Sequence, residues 1–450
     1  MECDDKIDSR IRKRFPFLLT EDQEQVIGEV VADMAKDVPM NRLLQGDVGS
    51  GKTVVALYAA LVAVANKQQA VIMAPTEILT RQHFQSIERF LRGTQVRYEL
   101  ITGGLTGKKR QELLGRIKGG EVDIVVGTIA LIQQDIDFAN LGLVVIDEQH
   151  KFGVHQRAGL RKGKSPHCLV MTATPIPRTL AMTAFGDLDV SIIQHSPPGR
   201  GDVITRWVQP PNRNDAMEFI RQRLRAKKQA YFVYPRIVSE NNGDSEKKDI
   251  KAAVDEYHRL NEKVFPEFNV GLLHGQMSSD EKTKTMSDFR AGKIDVLVST
   301  VVIEVGVDIP NATMMVIENA NRFGLAQLHQ LRGRIGRGQS KSYCFLFAET
   351  EDEVAISRLN IMTRSRDGFE IAEHDLKLRG PGELFSTRQH GLPDLKIANI
   401  VEDFELLNLA RRDAFSLIEN DPTLTQPAHS TLRTEIIRRF GDKLGLVDVG

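Results

Sequence analysis

Gly46-Asp47-Val48-Gly49-Ser50-Gly51-Lys52-Thr53 fits the pattern G-x-x-x-x-G-K-[ST] at every specified position. Arg42-Leu43-Leu44-Gln45 before it reads as a strand end, and the apolar run Val54 to Ala65 after it reads as a buried helix. That strand, loop, helix order is what a phosphate-binding loop requires, because its backbone N–H groups and the following helix N-terminus converge on one anion. Gly46 and Gly51 permit close backbone approach, and Asp47, Val48, Gly49 and Ser50 form the turn between them. Lys52 is a mobile charge for β/γ-phosphates, and the Thr53 hydroxyl suits Mg²⁺. The expected ligands are therefore ATP and Mg²⁺.

Working outward, short β-rich runs alternate with helical ones. Strands are expected at 70–74, 97–102, 123–127, 143–147 and 167–172, with helices at 78–92 and 107–118. This alternation predicts an α/β fold with a parallel sheet covered on both faces. The Pro/Gly-rich stretch His195–Gly201 reads as a linker. A second alternating region follows, with strands expected at 230–234, 269–273, 295–299, 313–318 and 342–347, and with a polar loop at 239–251. Past Glu349 the pattern turns helical, at 351–364 and 402–419, broken by Leu378-Arg379-Gly380-Pro381-Gly382-Glu383. Three regions result: 1–197, 203–350 and 351–450. Glu2 to Arg14 reads as a mobile, polar lead-in. Thr20-Glu21-Asp22-Gln23 is a capping box opening a helix to about Lys36. Gln23 keeps two readings there, a helix cap or a reader of an adenine edge.

Bulk composition narrows the classes. In 450 residues, 60 Lys+Arg balance 60 Asp+Glu, so any polyanion site must be a local patch. Cys3, Cys168 and Cys344 are scattered without a C-x-x-C pair, which argues against a zinc site or disulfide frame. The charged N-terminus has no signal-peptide core, and the longest apolar run is too short to span a bilayer. A cytoplasmic protein with no membrane partner is expected.

Two further stretches carry chemistry. Leu143–Ile146 is a buried strand ending in Asp147-Glu148, where a carboxylate at the sheet edge would hold Mg²⁺ and its neighbour would polarise a water. Asp147 takes the metal role and Glu148 the base. Thr172 and Thr174, in Met171–Pro175, offer hydroxyls to that acid pair, or form an ordinary strand-end turn. In Gln327–Arg337, a helical reading puts Gln330, Arg334 and Arg337 near one face, and two crowded guanidiniums suit a γ-phosphate across a cleft.

Taken in order, these motifs resemble those of superfamily 2 helicases and translocases. Intervening matches are Ala74–Glu77, Thr102-Gly103, Gly127-Thr128, His274-Gly275 and Ser299–Asp308. Within that superfamily the sequence is most similar to RecG-type ATP-dependent DNA helicases, on Ile303–Ala312, Gln327–Arg337 and the stretch Asp367–Glu383 continuing to Gln389-His390-Gly391. The last resembles a translocation motif shared with transcription-repair coupling factors. The resemblance implies two RecA-like parallel-sheet lobes in tandem, with ATP between them, plus a C-terminal mostly helical translocation region. Asp308, Arg334 and Arg337 would complete the ATP site from the second lobe. Pro75, Thr76, Thr102, Gly103, Thr128, His274, Gly275 and Thr300 would meet a DNA backbone, and Arg379 and Gln389 would couple closure to movement.

Ile129, Ser386 and His390 depart from the family's usual residues. RecG-type helicases carry a long N-terminal region with an OB-fold wedge, whereas here the motor begins almost at Met1. The expectation is a fragment or a wedge-less relative, with a wedge or repair partner supplied in trans. The leading functional expectation is a monomeric ATP-driven helicase or translocase on double-stranded or branched DNA, in recombination, repair and stalled-fork processing. Alternatives are a transcription-repair coupling translocase, an RNA unwinder and a nucleotide-gated DNA-binding scaffold.

Overall fold

The structure, a computed structural model, describes residues 1–105, 107–129, 136–147, 165–173, 188–195, 197, 201–235, 252–300, 309–336, 338, 340–386 and 403–447. The first lobe is built from β1 (Asn41–Gly46), β2 (Gln69–Ala74), β3 (Tyr98–Ile101), β4 (Ile124–Thr128), β5 (Leu141–Asp147), β6 (His167–Thr172) and β7 (Asp189–Ile193). Among the described residues these form one sheet in the order β3-β4-β2-β5-β6-β1-β7, every neighbouring pair parallel. Alternate residues feed two cores. Leu44, Ala70, Ile72, Leu143 and Val145 face one side with α2 (Glu21–Met34), α3 (Lys52–Ala65) and α4 (Glu77–Leu91). Leu43, Val71, Met73, Val144 and Ile146 face the other with α5 (Gly107–Lys118). Burial on both faces explains why these strands read as continuous apolar runs.

The second lobe repeats the plan. Strands β8 (Val203–Val208), β9 (Gln229–Tyr234), β10 (Val270–Leu273), β11 (Val296–Thr300), β12 (Ala312–Ile317) and β13 (Ser342–Phe347) pair in parallel in the order β10-β11-β9-β12-β13-β8. Helices α6 (Arg213–Arg225), α7 (Ser279–Arg290) and α8 (Leu325–Arg332) flank them, and α9 (Glu353–Arg364), α10 (Gly368–Ser386), α11 (Phe404–Asn420) and α12 (Ser430–Val447) follow. Leu359, Met362 and Ile371 belong to the same core as Leu328 and Leu331, so the start of the helical region is packed onto the second lobe.

Several local expectations change. The polar lead-in is instead α1 (Asp5–Arg12): Asp4 caps it by accepting from the Ile7 N–H at 2.7 Å, Ile11 is buried, and Arg12 reaches both Asp8 and Glu24. Its apolar residues are too few to register as a stripe, but they dock on α3. The edge strands β7 and β8 were not expected, because half-exposed edges carry mixed polarity (Asp189, Ser191, Thr205, Arg206) rather than an apolar run. The helix expected to break at Leu378–Glu383 runs on through Ser386. Ile371 and Leu376 are buried near its start, and packing against α8 and α9 outweighs the local breakers.

A buried charge cluster locks α2 to the sheet. Arg42 on β1 lies 2.6 Å from Asp33 and 3.1 Å from Glu29, both on α2, and donates to the Ser191 hydroxyl on β7 at 2.8 Å. Burial pushes the Asp33 carboxyl up, but hydrogen bonds from Lys36 and Arg42 overcome it and hold the carboxyl below its ordinary range. Removing one partner strands a buried charge, so Asp33→Asn is expected to cost about 3 kcal/mol at neutral pH, read from denaturant unfolding. With a depressed folded-state pKa, the wild-type contribution is present above the unfolded value of about 3.9 and fades as pH falls through the lower folded value. The gap between variant and wild type should therefore narrow below about pH 4.

Candidate active site

The phosphate loop leaves β1 at the carboxyl edge of the first sheet and enters α3 at Lys52. Gly51 occupies the cap position with φ +93° and supplies no side-chain cap, which leaves the first N–H groups of α3 facing the loop. An added Cβ at Gly51 would also lie 2.2 Å from Gln23 Nε2 and displace that amide. Lys52 Nζ donates to the carbonyls of Gly46 at 2.8 Å and Asp47 at 2.9 Å, so the ammonium is folded over the cradle. The Asp47 carboxylate accepts from the Val48 N–H at 2.6 Å, tightening the turn. Ser50 is buried and its hydroxyl has no hydrogen-bond partner, Gly49 is exposed, and Thr53 sits in the first turn of α3. An uncapped helix end, an orphaned hydroxyl and a tethered ammonium together fit a bound polyphosphate.

Gln23 forms the capping box, its Oε1 accepting from the Thr20 N–H at 3.0 Å, while its Nε2 donates to the Ser50 carbonyl at 2.9 Å. The cap reading therefore describes this arrangement, and the same amide braces the loop from outside. Asp147 ends β5 and is 8% exposed. Among the described residues no cluster of three or more His, Cys, Asp or Glu side chains is placed to hold a metal. A Mg²⁺ held by Thr53 and Asp147 would thus draw its remaining ligands from phosphate and water, which is how that ion is commonly bound. Thr172 ends β6 and is buried. Glu148, Thr174, Asp308, Arg337 and Gln389 lie outside the described residues.

The second lobe meets the loop directly. α8 ends at Arg332, so the helical face expected for Gln330, Arg334 and Arg337 is interrupted: Gln330 is on the helix, and Arg334 follows in the turn, 9% exposed. The break places Gly333 against the loop, where a Cβ would come 2.9 Å from Val48 Cβ. His329 Nε2 lies 3.5 Å from the Asp47 carboxylate. The two halves of the site are in van der Waals contact here.

The strand-end segments divide by sheet order. Pro75 and Thr76 follow β2, Thr102 and Gly103 follow β3, and Thr128 ends β4, all on one contiguous half of the carboxyl edge. The phosphate loop, Asp147 and Thr172 occupy the other half, on β1, β5 and β6. In the second lobe His274 and Gly275 follow β10 and Thr300 ends the adjacent β11. Burial, with the charge of Lys282, lowers the His274 pKa, so its ring offers hydrogen bonds rather than charge at neutral pH.

Two residues escaped the sequence reading. His83 on α4, 5% exposed, donates from Nε2 to Asp147 Oδ2 at 2.7 Å. A histidine 64 residues upstream of the acid carries no sequence signal of that contact. Arg332 points away from the loop: its guanidinium donates to the carbonyls of Met362 at 3.1 Å, Ser365 at 2.7 Å and Arg366 at 3.2 Å. These carbonyls end α9, where a cation is favoured. Arg379 falls within α10.

Three families match along the chain: DEAD/DEAH box helicase at residues 20–183, helicase conserved C-terminal domain at 244–339, and ATP-dependent DNA helicase RecG, domain 3, C-terminal at 365–439. The chain is 51% identical over 431 residues to the ATP-dependent DNA helicase RecG of Synechocystis sp., covering 96% of this chain and 51% of that protein. Its likeness to RecG of Bacillus subtilis is 47% over 430 residues, covering 95% and 62%. This chain belongs to the RecG-type superfamily 2 helicases. It spans about half to three-fifths of the length of those curated relatives. A solved structure of RecG bound to a three-way DNA junction superposes with a TM-score of 0.74 at 45% identity, covering 90% of this chain and 52% of that one. Dbp5 of S. cerevisiae bound to RNA and ADP BeF3, at 17% identity and TM-score 0.58, shares the two-lobed fold.

The Val48–Gly333 contact is testable. Gly333→Ala should force the second lobe back from the loop, lowering ATP turnover at least tenfold while a fluorescent nucleotide still binds the first lobe. Val48→Gly removes all three carbons that an added Cβ would meet, Cβ included, and the double variant should recover much of the loss in a double-mutant cycle. A double variant no better than Gly333→Ala would show that the contact is not the cause.

Proposed function

We propose that this chain is an ATP-driven motor that moves on duplex or branched DNA and serves recombination, repair and the processing of stalled forks. The observation that carries this reading is the packing of Gly333 and His329 of the second lobe on Val48 and Asp47 of the phosphate loop. A loop that only stored nucleotide would need no second lobe against it. Here a change in phosphate occupancy alters how closely two sheets approach, and each sheet carries a row of strand ends beside the cleft.

The roles follow from position. Lys52 neutralises β/γ-phosphate charge, while Thr53 and Asp147 hold Mg²⁺. That ion supplies charge neutralisation at the phosphates when bound. Glu148 orients the attacking water, and Gln330, Asp308, Arg334 and Arg337 act from the second lobe. Gln23 braces the loop through the Ser50 carbonyl. Pro75, Thr76, Thr102, Gly103, Thr128, His274, Gly275 and Thr300 take the sugar-phosphate backbone. Such contacts carry little sequence information and weaken steeply with salt. Thr172 and Thr174 relay the nucleotide state. Arg332, anchored on the end of α9, passes movement of the second lobe to the α9–α10 hairpin, and Arg379 and Gln389 pass it to the duplex. The match of residues 365–439 to the RecG domain favours this type over a transcription-repair coupling translocase. We assign the motor to the cytoplasm as a monomer. Among the described residues no helix is long and apolar enough to cross a membrane.

ATPase rates measured without nucleic acid and with single strands, duplex, forked DNA and RNA test the reading. Duplex or forked DNA should stimulate most, with the logarithm of affinity falling linearly in log salt, and Lys52→Ala should lose about 100-fold or more of the stimulated rate. A rate indifferent to every nucleic acid, with Lys52→Ala equal to wild type, would sink the motor.

A further inference from the structure

The two halves of the first sheet's carboxyl edge are bridged by one helix. α4 leaves β2 at Pro75, and Thr76 caps it, its hydroxyl accepting from the Leu79 N–H at 3.5 Å. The Thr76 carbonyl accepts from the Thr80 N–H at 3.0 Å and from its hydroxyl at 2.9 Å, and Thr80 is fully buried. His83 lies on the same stripe, since positions i, i+4 and i+7 share one helix face. Its ring then crosses from β2 to the adjoining strand β5 and donates to Asp147 Oδ2 at 2.7 Å. From Thr76 to His83 is seven residues, a rise of about 10 Å. The far end of the helix is anchored by buried Ile87 and Leu91 in the core beneath. The result is a short stiff lever. One end is a strand-end cap on the proposed nucleic-acid half, and the other grips the carboxylate proposed to hold Mg²⁺.

We propose that His83 is a positioning residue that links occupancy of the α4 N-terminus by a nucleic-acid backbone to the orientation of the Asp147 carboxylate. The proposal rests on the motor reading above and deepens it by naming how nucleic acid would speed hydrolysis. A phosphodiester drawn to the N-terminus of α4 engages the Thr76 cap and the helix dipole. Any shift of α4 along its axis is delivered to Asp147 through a directional bond between two buried groups. Outer-shell partners of this kind commonly change metal affinity or activity by about 10–100-fold when removed. A purely local role, in which His83 only satisfies a buried carboxylate, predicts equal damage with and without nucleic acid.

The test uses the full chain with His83→Ala and His83→Gln, the glutamine amide keeping an N–H donor near the position of Nε2. Four quantities are read: duplex affinity by anisotropy without nucleotide, ATPase with and without duplex, the Mg²⁺ half-point for binding a fluorescent ADP, and thermal melting. We expect His83→Ala to cut the ratio of stimulated to basal rate by about tenfold or more and to raise the Mg²⁺ half-point by a similar factor. Duplex affinity should stay within about twofold, and glutamine should restore most of the ratio. Should the alanine variant melt early, His83→Asn, polar but too short to reach the carboxylate, takes its place. An unchanged ratio, equal loss of basal and stimulated rates, or loss that tracks duplex affinity would each overturn the coupling. A wild-type rate that no nucleic acid stimulates would instead overturn the motor reading itself, while the Mg²⁺ half-point would still report whether His83 orients Asp147.

Discussion

Parallel pairing of every neighbouring strand is the constraint on which the rest of this molecule depends. A parallel sheet sends all its strands out at one edge, so loops far apart in sequence must emerge side by side. In the first lobe that edge collects the ends of β1, β2, β3, β4, β5 and β6, and with them the phosphate loop, Asp147, Thr172 and the segments at Thr76, Thr102 and Thr128. Had any of these strands run the other way, its polar terminus would lie on the opposite edge. The Arg42 cluster secures the arrangement at the other, amino end of β1, by tying β1 to β7 and to α2 at once.

The second lobe adds what one sheet cannot supply, a surface that meets the loop from across the cleft. Helix α8 is short because it ends at Arg332, and this ending has two consequences. Gly333, without a side chain, lets the backbone settle on Val48. Arg332 turns outward to the end of α9 and donates to three carbonyls there. One turn of chain thus touches the nucleotide loop on one side and holds the following hairpin on the other. Burial of Leu359, Met362 and Ile371 in the same core makes the start of the helical region part of the second lobe.

Sequence reasoning did best where one residue's role depends on its immediate neighbours. The phosphate loop, the capping box at Thr20 and Gln23, and the buried strands β2, β5, β6, β9 and β13 were readable because turn chemistry and apolar runs are local. It did worse at edges and contacts. β7 and β8 mix polar and apolar residues because, among the described residues, one side of each meets no further strand. α1 looked like a lead-in because its stability comes from α3 and from Glu24, not from its own composition. The face expected on the Gln330–Arg337 stretch failed because helical spacing says nothing of where a helix ends.

The chain's local chemistry by itself determined that Gly46–Thr53 forms a tight loop between a strand and a helix, that an acid ends a buried strand at Asp147, and that two α/β lobes and a helical region follow one another. Those are properties of short stretches, set by backbone geometry and by the period of apolar residues. Only the tertiary structure decided that the edge divides into two halves between β2 and β5, that Gly333 rests on Val48, and that His83 reaches Asp147. Strand order and lobe contact are settled by long-range packing, where pairs 64 or 285 residues apart meet with no spacing rule to announce them.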